Sequence, residues 1–355
     1  MARPLGEDEL LRLIDALAAG QWCSGEALAA EAGVTRAALA KRVAHLRDWG
    51  LDVEAEAGRG YRLSQPLCRL DAAAISAALA PATRERLRGV EVLARTDSTN
   101  QRLLEADAAQ DPQALFAELL TAGRGRRGRS WRSPFGANLY LSLAWSFAAW
   151  PPQLSALSLA VGVACARALR AAGLDAVMLK WPNDLRVGSD KLGGILIEQR
   201  GEAGGACRVV IGIGINVAMT PAQAGDLGQP WISLQAALAS SNRTPHTPLA
   251  LSSPEGAYRR ASTEPRPLDR NALAAGLLDQ LVAALLQFDS AGFEPFLHDW
   301  STLDLTANRP VRIEGAEPLQ GIARGVDPQG ALIVEAQGRR QHVHSGEVSL
   351  RLGDA

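Results

Sequence analysis

The chain has 355 residues, of which 47% are hydrophobic and 21% are charged, a composition that excludes a disordered protein and predicts two or three globular domains. The formal net charge of −1 excludes a polybasic protein, so any contact with nucleic acid must come from a local basic face. The four cysteines are scattered singly, which argues against a disulfide framework or a zinc site and favours a reducing cytosol.

The sequence predicts a cytoplasmic protein with no role at a membrane. Its first segment, MARPLGEDELLRLIDAL, carries acidic side chains where a signal peptide needs an apolar run. The most apolar stretch, Leu154 to Leu169, is interrupted by Ser155, Ser158 and Arg167, and it is too short and too polar to cross a bilayer. We interpret this stretch as a buried helix.

Residues 1–66 have the pattern of a winged helix-turn-helix. An amphipathic helix is predicted from Glu9 to Ala19, Ser24 can cap a short second helix, and Thr35 can cap a longer helix from Arg36 to Trp49. The segment DVEAEAGRGYRL then alternates around Gly-Arg-Gly, which predicts a two-stranded wing with a basic tip. In such an arrangement the second helix of the helix-turn-helix enters the major groove of DNA.

The longer helix of this module has one apolar face and one basic face. Leu39, Val43 and Leu46 are spaced to face inward, so we expect the module to close a small core of its own. The residues predicted to face DNA are Thr35, Arg36, Ala37, Lys41, Arg42 and, at the tip of the wing, Arg59. The alternative is a small helical packing domain whose charges are merely solvated.

The remainder of the chain divides into two further parts. Residues 67–304 mix helices with strongly apolar strands, whereas residues 305–355 have the pattern of short strands split by turns, at the spacing of a small antiparallel barrel. A run rich in Ser, Thr and Pro at about 240–270 lacks periodicity, and we interpret it largely as a surface insertion. The chain as a whole is predicted to be an α+β protein of three domains.

Three stretches of the central part carry candidate site residues. The first, TDSTN at 96–100, follows an apolar strand and precedes a helix that starts near Gln101. Hydroxyl and amide side chains at such a junction can hydrogen-bond a neutral polar ligand. The alternative is that they serve only as the N-cap of the helix.

The second stretch is AGRGRRGRSW at 122–131, which lies between two apolar strands. Its glycines let the backbone pass close to a ligand, and its four arginines supply forked donors suited to phosphates. A nucleic-acid contact is the alternative, but the position between strands favours a small anion held above a sheet. Because like charges repel, we expect this loop to be mobile without its ligand.

The third stretch, KWPNDL at 180–185 followed by KLGGILIE at 191–198, predicts a hairpin with ammonium groups at Lys180 and Lys191 and a carboxylate at Asp184. For either lysine alone, plain solvation is the commoner case. The glycines of VVIGIGIN at 209–216 thin a buried strand so that something can lie on it. That strand lacks the G-x-G-x-x-G fingerprint and the chain has no Walker-type loop, so any nucleotide must be bound in another way.

Together these motifs resemble those of the bifunctional biotin–protein ligase and biotin-operon repressor family. The motifs DSTNQ, AGRGRRGRSW, SPFGANLYLSLAW, KWPNDL, KLGGILIE, IGIGINV and GEVSLR occur in that order, and SGEALAAEAGVTRAALAKRVAHLRDWG resembles the winged helix of the family. The resemblance covers nearly the whole chain apart from the insertion. It implies a central mixed sheet with helices, of the class II synthetase type, and a small C-terminal SH3-like β-barrel.

The resemblance also implies roles for individual residues. Biotin would be held by Ser98, Thr99, Asn100, Arg124, Gly125, Arg126 and Lys191. ATP and the adenylate would be held by Arg129, Trp131, Lys180, Asn183, Asp184, Asn216 and Trp231. Lys191 and Arg126 would act in catalysis. One departure is Leu120, which stands where the family commonly has a ligand-contacting Gln, so that role is not carried over.

The activity implied by the resemblance is ATP-dependent ligation. Biotin and ATP, with Mg²⁺, would give biotinyl-5'-AMP, from which biotin passes to a lysine of the biotin carboxyl carrier protein of acetyl-CoA carboxylase. The winged helix would bind operator DNA and repress biotin synthesis, with a homodimer that forms when ligand is bound. The alternatives are a non-catalytic biotin-sensing repressor and a ligase for another acyl group such as lipoate or octanoate.

Overall fold

In this computed structural model the described residues are 6–201, 205–241, 268–315, 317–346 and 348–352. They form an N-terminal helical module with a hairpin, a central seven-stranded sheet with helices, and a C-terminal five-stranded sheet. The predicted α+β organisation in three parts is confirmed.

The N-terminal module has three helices followed by a hairpin. Its elements are α1 (Glu7–Leu17), α2 (Gly25–Glu31), α3 (Arg36–Asp48), β1 (Val53–Glu56) and β2 (Gly60–Leu63). Both predicted caps are present, because the hydroxyl of Ser24 accepts from the backbone N–H of Glu26 at 3.3 Å and that of Thr35 accepts from Ala38 at 3.2 Å. The two strands pair antiparallel, which gives the predicted wing.

The core of this module is shared with the central part of the chain. Leu39, Val43 and Leu46 are buried as predicted, but Phe135, which is only 1% exposed, belongs to the same core. Its ring stacks on Trp49 with 5.3 Å between centroids. The module therefore closes a core that is largely its own, as expected, and Phe135 of the central part completes it. A module of this size buries little of its surface alone, and the contact with Phe135 enlarges the core.

The central part contains seven strands and eight helices within the described residues. In chain order they are α4 (Ala72–Ala78), α5 (Pro81–Arg86), β3 (Gly89–Thr96), α6 (Thr99–Glu105), β4 (Gln113–Leu120), β5 (Leu139–Phe147), α7 (Leu157–Ala171), β6 (Val177–Lys180), β7 (Asp184–Val187), β8 (Asp190–Gly201), β9 (Cys207–Ile215), α8 (Pro221–Ala224), α9 (Leu234–Ser241), α10 (Arg270–Ala291) and α11 (Leu297–Leu303). The strand order is β3-β4-β5-β9-β8-β7-β6, with β3 and β4 parallel and the other neighbours antiparallel.

Helices cover the two faces of this mixed sheet unequally. On one face α7 and α10 pack together over β5 and β8 and form the main core. On the other face α6 packs against β4, β5 and β9 over a small cluster that includes Leu103 and Val210. Because α6 is short, it leaves part of this second face uncovered, and the candidate site lies there.

The C-terminal part is a five-stranded antiparallel sheet. Its strands are β10 (Pro310–Glu314), β11 (Leu319–Val326), β12 (Leu332–Ala336), β13 (Arg339–Val343) and β14 (Ser349–Leu352), in the order β13-β12-β11-β10-β14. The turn at Gly330 has φ +79°, lies against Ala156, and accepts a hydrogen bond from the indole of Trp181 at 3.2 Å. This contact docks the sheet on the central part and brings β14 beside the candidate site.

Two helical stretches, Leu154–Ala171 and Arg270–Ala291, are long and apolar enough by composition to span a membrane, yet both are mostly buried inside the protein, as core helices are. The first contains the stretch predicted to be a buried helix. Most of the predicted insertion, residues 242–267, lies outside the described residues. Helix α10 begins at Arg270, at the predicted end of the insertion, and this side chain is 3% exposed and forms an ion pair with buried Glu118 at 2.8 Å.

Candidate functional site

A cavity of about 150 Å³ lies between the uncovered face of the large sheet, the arginine-rich loop at 122–131 and strand β14. Twelve residues predicted to bind the ligands line it, namely Ser98, Thr99, Asn100, Arg124, Gly125, Arg126, Arg129, Trp131, Lys180, Asn183, Asp184 and Lys191. Three separate stretches of sequence therefore meet in one pocket, as the motif interpretation requires.

One wall of the pocket is a chain of uncharged polar side chains at the start of α6. Ser98 caps this helix by accepting from the backbone N–H of Gln101 at 3.3 Å. The hydroxyl of buried Ser142 donates to the amide oxygen of Asn100 and lies 2.7 Å from the hydroxyl of Thr99, and the amide N–H of Asn100 donates to Glu198 at 2.8 Å. Ser98 therefore is an N-cap, and it lines the pocket as well. A wall of this kind suits a neutral polar ligand.

The glycines of β9 provide space for side chains of the chain itself. A Cβ at Gly212 would meet the amide of Asn100, and one at Gly214 would lie 2.7 Å from the indole of Trp131. The prediction that something lies on this strand is therefore confirmed, and two of the occupants are these side chains. The Nε1 of Trp131 is buried without a hydrogen-bond partner among the described residues. An acceptor on a ligand would satisfy it.

A cluster of charged groups forms the opposite wall. The ammonium of Lys191 lies 2.7 Å from the carboxylate of Asp184, and both side chains are largely buried. Burial alone would raise the pKa of Asp184, but the charges of Lys191, Lys180 and Arg186 hold this pKa below its usual value. The register of β8 shifts by one residue between Lys191 and Gly193 as it pairs with β7, a bulge of the kind that re-aims a side chain.

Lys180 is the most perturbed cation of the pocket. Burial lowers the pKa of its ammonium to about 8, an effect that Asp184 opposes and that Arg186, Arg351 and Lys191 reinforce. A lysine with this pKa loses part of its charge near neutral pH. A bound anion would restore that charge.

The arginine-rich loop is held by hydrogen bonds of its own and by the C-terminal sheet. The backbone N–H of Gly125 donates to the carbonyl of Arg129 at 2.7 Å, which closes the loop on itself. The guanidinium of Arg126 donates to the carbonyls of Ser345 and Gly346, and that of Arg129 donates to Ser349 at 2.9 Å. Arg126 and Arg129 also line the pocket, where a phosphate could accept from their remaining donors.

The balance of charge around the pocket is strongly positive. Among the described residues, one carboxylate, Asp184, lines it together with eight cationic side chains, which are Arg124, Arg126, Arg127, Arg129, Lys180, Arg186, Lys191 and Arg351. An excess of cations in a cleft concentrates polyanions, and guanidinium groups match phosphate oxygens in geometry. The pocket therefore joins a neutral polar wall to a site suited to a polyphosphate.

Three family matches cover the chain in the order of its parts. Residues 10–62 match a helix-turn-helix domain, residues 92–216 match the biotin/lipoate A/B protein ligase family, and residues 306–351 match the C-terminal domain of biotin protein ligases. The bifunctional ligase/repressor BirA of Escherichia coli (strain K12) is 42% identical over 343 residues, with 96% of this chain and 97% of that protein covered. The chain belongs to the bifunctional ligase/repressor BirA family.

One further relative and one solved structure are similar to the greater part of this chain. The biotin–[acetyl-CoA-carboxylase] ligase of Mycobacterium tuberculosis (strain ATCC 25618 / H37Rv) is 33% identical over 272 residues, covering 74% of this chain and 88% of that protein. The structure of a biotin protein ligase from Aquifex aeolicus in complex with biotin and ATP has a TM-score of 0.58 at 24% identity. It covers 74% of this chain and 99% of that one, and it supports the fold.

Two residues assigned to nucleotide by the resemblance to the BirA family lie outside the lining of the pocket. The amide of Asn216 donates to the carbonyls of Lys191 and Ile232, both at 3.4 Å, and so braces the backbone behind Lys191. Trp231 packs against a small apolar cluster with Met219, although its backbone pairs with Lys191. Asn183 lines the pocket, but its amide is already engaged by the carbonyl of Ile195 at 2.8 Å.

Sequence reasoning missed several residues that line the pocket. Arg186 is two positions after Asp184 on β7, and the alternation of a strand puts both on one face, a signal that was available. Val348 to Arg351 belong to the GEVSLR motif but reach the pocket through the docking of the C-terminal sheet, and no role was predicted for them. Leu120 lines the pocket, so the departure from the usual Gln falls inside the site.

Not all of the residues predicted to face DNA in this BirA-family chain are exposed. Arg36, Ala37 and Lys41 are exposed on α3 beside the cap at Thr35. Arg42 does not face DNA with them, because it is 8% exposed and its guanidinium lies 3.3 Å from Glu9 on α1. Its position, three residues after Leu39 and four before Leu46, turns it toward the core side of the helix.

The tip of the wing is more constrained than its sequence indicates. The guanidinium of Arg59 pairs with Glu56 at 2.9 Å and lies 4.5 Å from the ring centroid of Trp22. A second arginine, Arg62, lies 4.8 Å from the same ring. The charge at the tip is thus held in place by a cation–π contact, which leaves it exposed but ordered.

Proposed function

We propose that this chain is an ATP-dependent biotin–protein ligase that also binds operator DNA and represses biotin synthesis. The single observation that carries the enzymatic part is the pocket in which eight cations and one carboxylate adjoin an uncharged polar wall. Such a pocket accommodates a neutral head group at one end and a polyphosphate at the other. The names of the BirA relatives, which join a ligase to a repressor, support the same assignment.

The first chemical step brings two anions together. A carboxylate oxygen of biotin attacks the α-phosphorus of ATP, a new P–O bond forms, and the bond to pyrophosphate breaks, which leaves biotinyl-5'-AMP. Lys191 and Arg126 offset the repulsion between carboxylate and phosphate and stabilise the charge on the transferring group. Asp184 aims the ammonium of Lys191 through their 2.7 Å contact. No side chain needs to act as a nucleophile.

The second step transfers biotin to an acceptor protein. The amine of an acceptor lysine attacks the carbonyl carbon of the mixed anhydride, the amine loses a proton, and AMP leaves. The proposed acceptor is the biotin carboxyl carrier protein of acetyl-CoA carboxylase, and acetyl-CoA carboxylase is part of the name of one of the relatives. The arginine-rich loop and β14, which cover the pocket, exclude water that would otherwise hydrolyse the anhydride.

Mg²⁺ would accompany ATP and neutralise charge on the departing pyrophosphate. No group of three or more His, Cys, Asp or Glu side chains suited to a metal occurs among the described residues. Mg²⁺ commonly keeps its waters and binds through substrate phosphates with one or two carboxylates. Asp184 is the carboxylate of the pocket lining that could serve it, so the residues fit a metal that arrives with the nucleotide.

The regulatory part of the proposal rests on the N-terminal module. The exposed face of α3 and the ordered tip of the wing carry Arg36, Lys41 and Arg59, which suit a phosphate backbone and a major groove. A homodimer that forms with ligand bound would present two such modules to a palindromic operator. The protein would act in the cytoplasm, where its substrates and its operator meet.

Mass spectrometry of a purified biotin carboxyl carrier domain tests the enzymatic part. Incubation with the protein, ATP, Mg²⁺ and biotin is expected to add one biotinyl group to one lysine. Parallel reactions with lipoate and octanoate address the alternative acyl groups, and modification by one of these in place of biotin would reassign the substrate. Absence of any ligation, with biotin still bound, would leave a non-catalytic sensing repressor.

A further inference from the structure

Arg186 differs from the other cations of the pocket because its guanidinium has too few hydrogen-bond acceptors around it. It lies on β7, two residues after Asp184, and pairs in register with Lys191 on β8. Its side chain is 11% exposed and lines the pocket. Neither the motifs nor the proposed mechanism assigns it a role.

The guanidinium of Arg186 has more N–H donors than it has acceptors for them. A guanidinium has five N–H donors. Nη1 donates to the carbonyl of Ser189, whereas Nη2 lies 3.6 Å from the carboxylate of Asp184, beyond hydrogen-bond distance. Nε is buried and has no partner within the described parts of the chain. Because buried charges need paired acceptors, the missing acceptors are expected to come from a ligand.

Asp184 does not satisfy these donors. Its Oδ2 is the oxygen nearer to Arg186 but lies 3.6 Å from Nη2, and its Oδ1 is engaged by Lys191 at 2.7 Å. The charge of Lys180 also acts on this carboxylate. Three buried or half-buried cations, Lys180, Arg186 and Lys191, thus surround one carboxylate, which leaves two positive charges in excess. An anion bound here would relieve the repulsion among them.

We infer that Arg186 binds a phosphate group of the nucleotide, beside the group held by Lys191. This inference rests on the proposed function and extends it to a further residue. A biotin carboxylate carries one charge, which Lys191 balances, whereas the phosphate chain of ATP carries several. The planar fork of a guanidinium suits a phosphate, and the fixed contact with Ser189 holds Arg186 ready for it.

The alternative is that Arg186 only holds the hairpin together through the carbonyl of Ser189. Three variants separate the two roles: Arg186→Met, Arg186→Lys and, as a matched control on the neighbouring strand, Arg200→Met. Arg200 is exposed and donates to the carbonyl of Leu104, outside the pocket. The measurements are biotin-dependent exchange between ATP and pyrophosphate, with each substrate varied, and thermal unfolding without ligand.

The expected result is a selective loss of phosphate binding. Arg186→Met should raise the KM for ATP and for pyrophosphate about ten-fold or more, the loss typical of a charged hydrogen bond. The KM for biotin and the unfolding temperature should stay at the wild-type values, and Arg200→Met should match the wild type throughout. The KM values of Arg186→Lys for ATP and pyrophosphate should lie between those of the wild type and Arg186→Met, since a lysine keeps the charge but lacks the planar fork of donors.

Two results would overturn the inference. If Arg186→Met keeps the wild-type KM values for ATP and pyrophosphate, Arg186 does not bind a phosphate. Equal losses toward all substrates with a lower unfolding temperature show a structural role instead. If Arg186→Met does not fold, an unchanged KM for ATP in Arg186→Lys decides against the inference. Failure of the proposed function is distinct, because the wild-type protein would then catalyse no exchange, and calorimetry with inorganic pyrophosphate alone would still test Arg186.

Discussion

At the scale of single residues, the carboxylate of Asp184 organises the cations of the pocket. It contacts Lys191 at 2.7 Å and lies 3.6 Å from Arg186, and the surrounding cations hold its pKa below the usual value although burial opposes this. An ionised Asp184 reduces the repulsion among its neighbours and fixes the direction of the Lys191 ammonium. The pocket keeps its excess of positive charge for the phosphates.

Replacing Lys191 tests whether this ammonium acts in the chemistry. We expect Lys191→Ala to lower the rate of pyrophosphate release by roughly a hundred- to a thousand-fold, the loss typical of one preorganised charge donor. The fold should persist, because Asp184 keeps Arg186 and Lys180 as neighbours. Arg200→Ala, outside the pocket, is the control for the assay. A wild-type rate of pyrophosphate release in Lys191→Ala would contradict the catalytic role of Lys191.

The lowered pKa of Lys180, about 8, predicts that ATP binding takes up a proton near pH 8. In the empty pocket this lysine is partly neutral at that pH, and the phosphates should raise its pKa toward the ordinary value. Since the neutral form lacks the attraction, affinity for ATP should fall as the pH rises above 8. Calorimetry in two buffers of different ionisation enthalpy measures the proton uptake. The phosphates of the nucleotide are already ionised near pH 8, so the proton is taken up by the protein.

Lys180→Met is the matched test of this proton, because it removes the titrating group and keeps a similar chain length. The variant should show no difference in apparent binding enthalpy between the two buffers. The prediction is contradicted if the wild-type protein also shows no difference, or if the variant retains the full proton uptake.

Residue-level prediction from sequence succeeded where a motif is local and failed where the partner is distant. Ser98, Asp184 and Lys191 were found because each belongs to a short motif on a strand or at its end. Arg42 was misplaced because its burial depends on Glu9 of another helix. Phe135 was not expected in the first core, since it joins that core across more than eighty residues of chain. Long-range packing of this kind leaves no local pattern.

At the scale of elements, the arginine-rich loop links the pocket to the C-terminal sheet. Its bonds to Ser345, Gly346 and Ser349 are few and lie near the surface, and Arg127 at its centre has φ +58°, a left-handed conformation uncommon for residues with a side chain. Strained backbone of this kind recurs at ligand clamps. Contacts so limited leave the loop free to open until a ligand supplies more.

Limited digestion with trypsin tests this opening, because the loop offers four arginine sites between 124 and 129. Cleavage there should be fast without ligand and slow with biotin and ATP together, which build the adenylate in place. A digestion without ATP but with biotin separates the contribution of each ligand. The same cleavage rate with and without both ligands counts against a closing loop.

The elements of the N-terminal module were predicted with boundaries that agree within two residues, whereas α4, α5 and α8 to α11 were not predicted individually. The caps at Ser24 and Thr35, the glycine-rich strand at 209–216 and the short C-terminal strands each have a local cause. The order of strands in the large sheet could not be predicted, because β9 inserts between β5 and β8. That order depends on the pairing of β5 with β9 across at least sixty residues of chain, which neither periodicity nor turn residues encode.

At the scale of the whole molecule, one segment joins the ligand pocket to the DNA-binding module. Trp131 lies in the pocket, and four residues later Phe135 stacks on Trp49 of the winged helix. The backbone N–H of Phe135 donates to the carbonyl of Trp49 at 2.9 Å, and Gln223 donates to Gly50 at 3.0 Å. This segment is therefore the contact through which we expect a change in the loop to reach the module.

Deletion of residues 1–66 measures how far the two functions depend on each other. The truncated protein should lose operator binding in a gel-shift assay with its own promoter region, yet still form the adenylate, since the pocket residues all lie beyond Asp97. Loss of Trp49 exposes Phe135, and we expect the KM for biotin to rise by about 5- to 150-fold, the range of a coupling of roughly 1–3 kcal/mol. The full-length variant Trp49→Ala should show part of this rise, whereas His45→Ala, exposed one turn earlier on α3, should show none.

Total loss of adenylation in a truncated protein that is folded would refute the separation of the two functions. Retained sequence-specific DNA binding would remove the winged helix from its role, and an unchanged KM would show that the shared core carries no coupling.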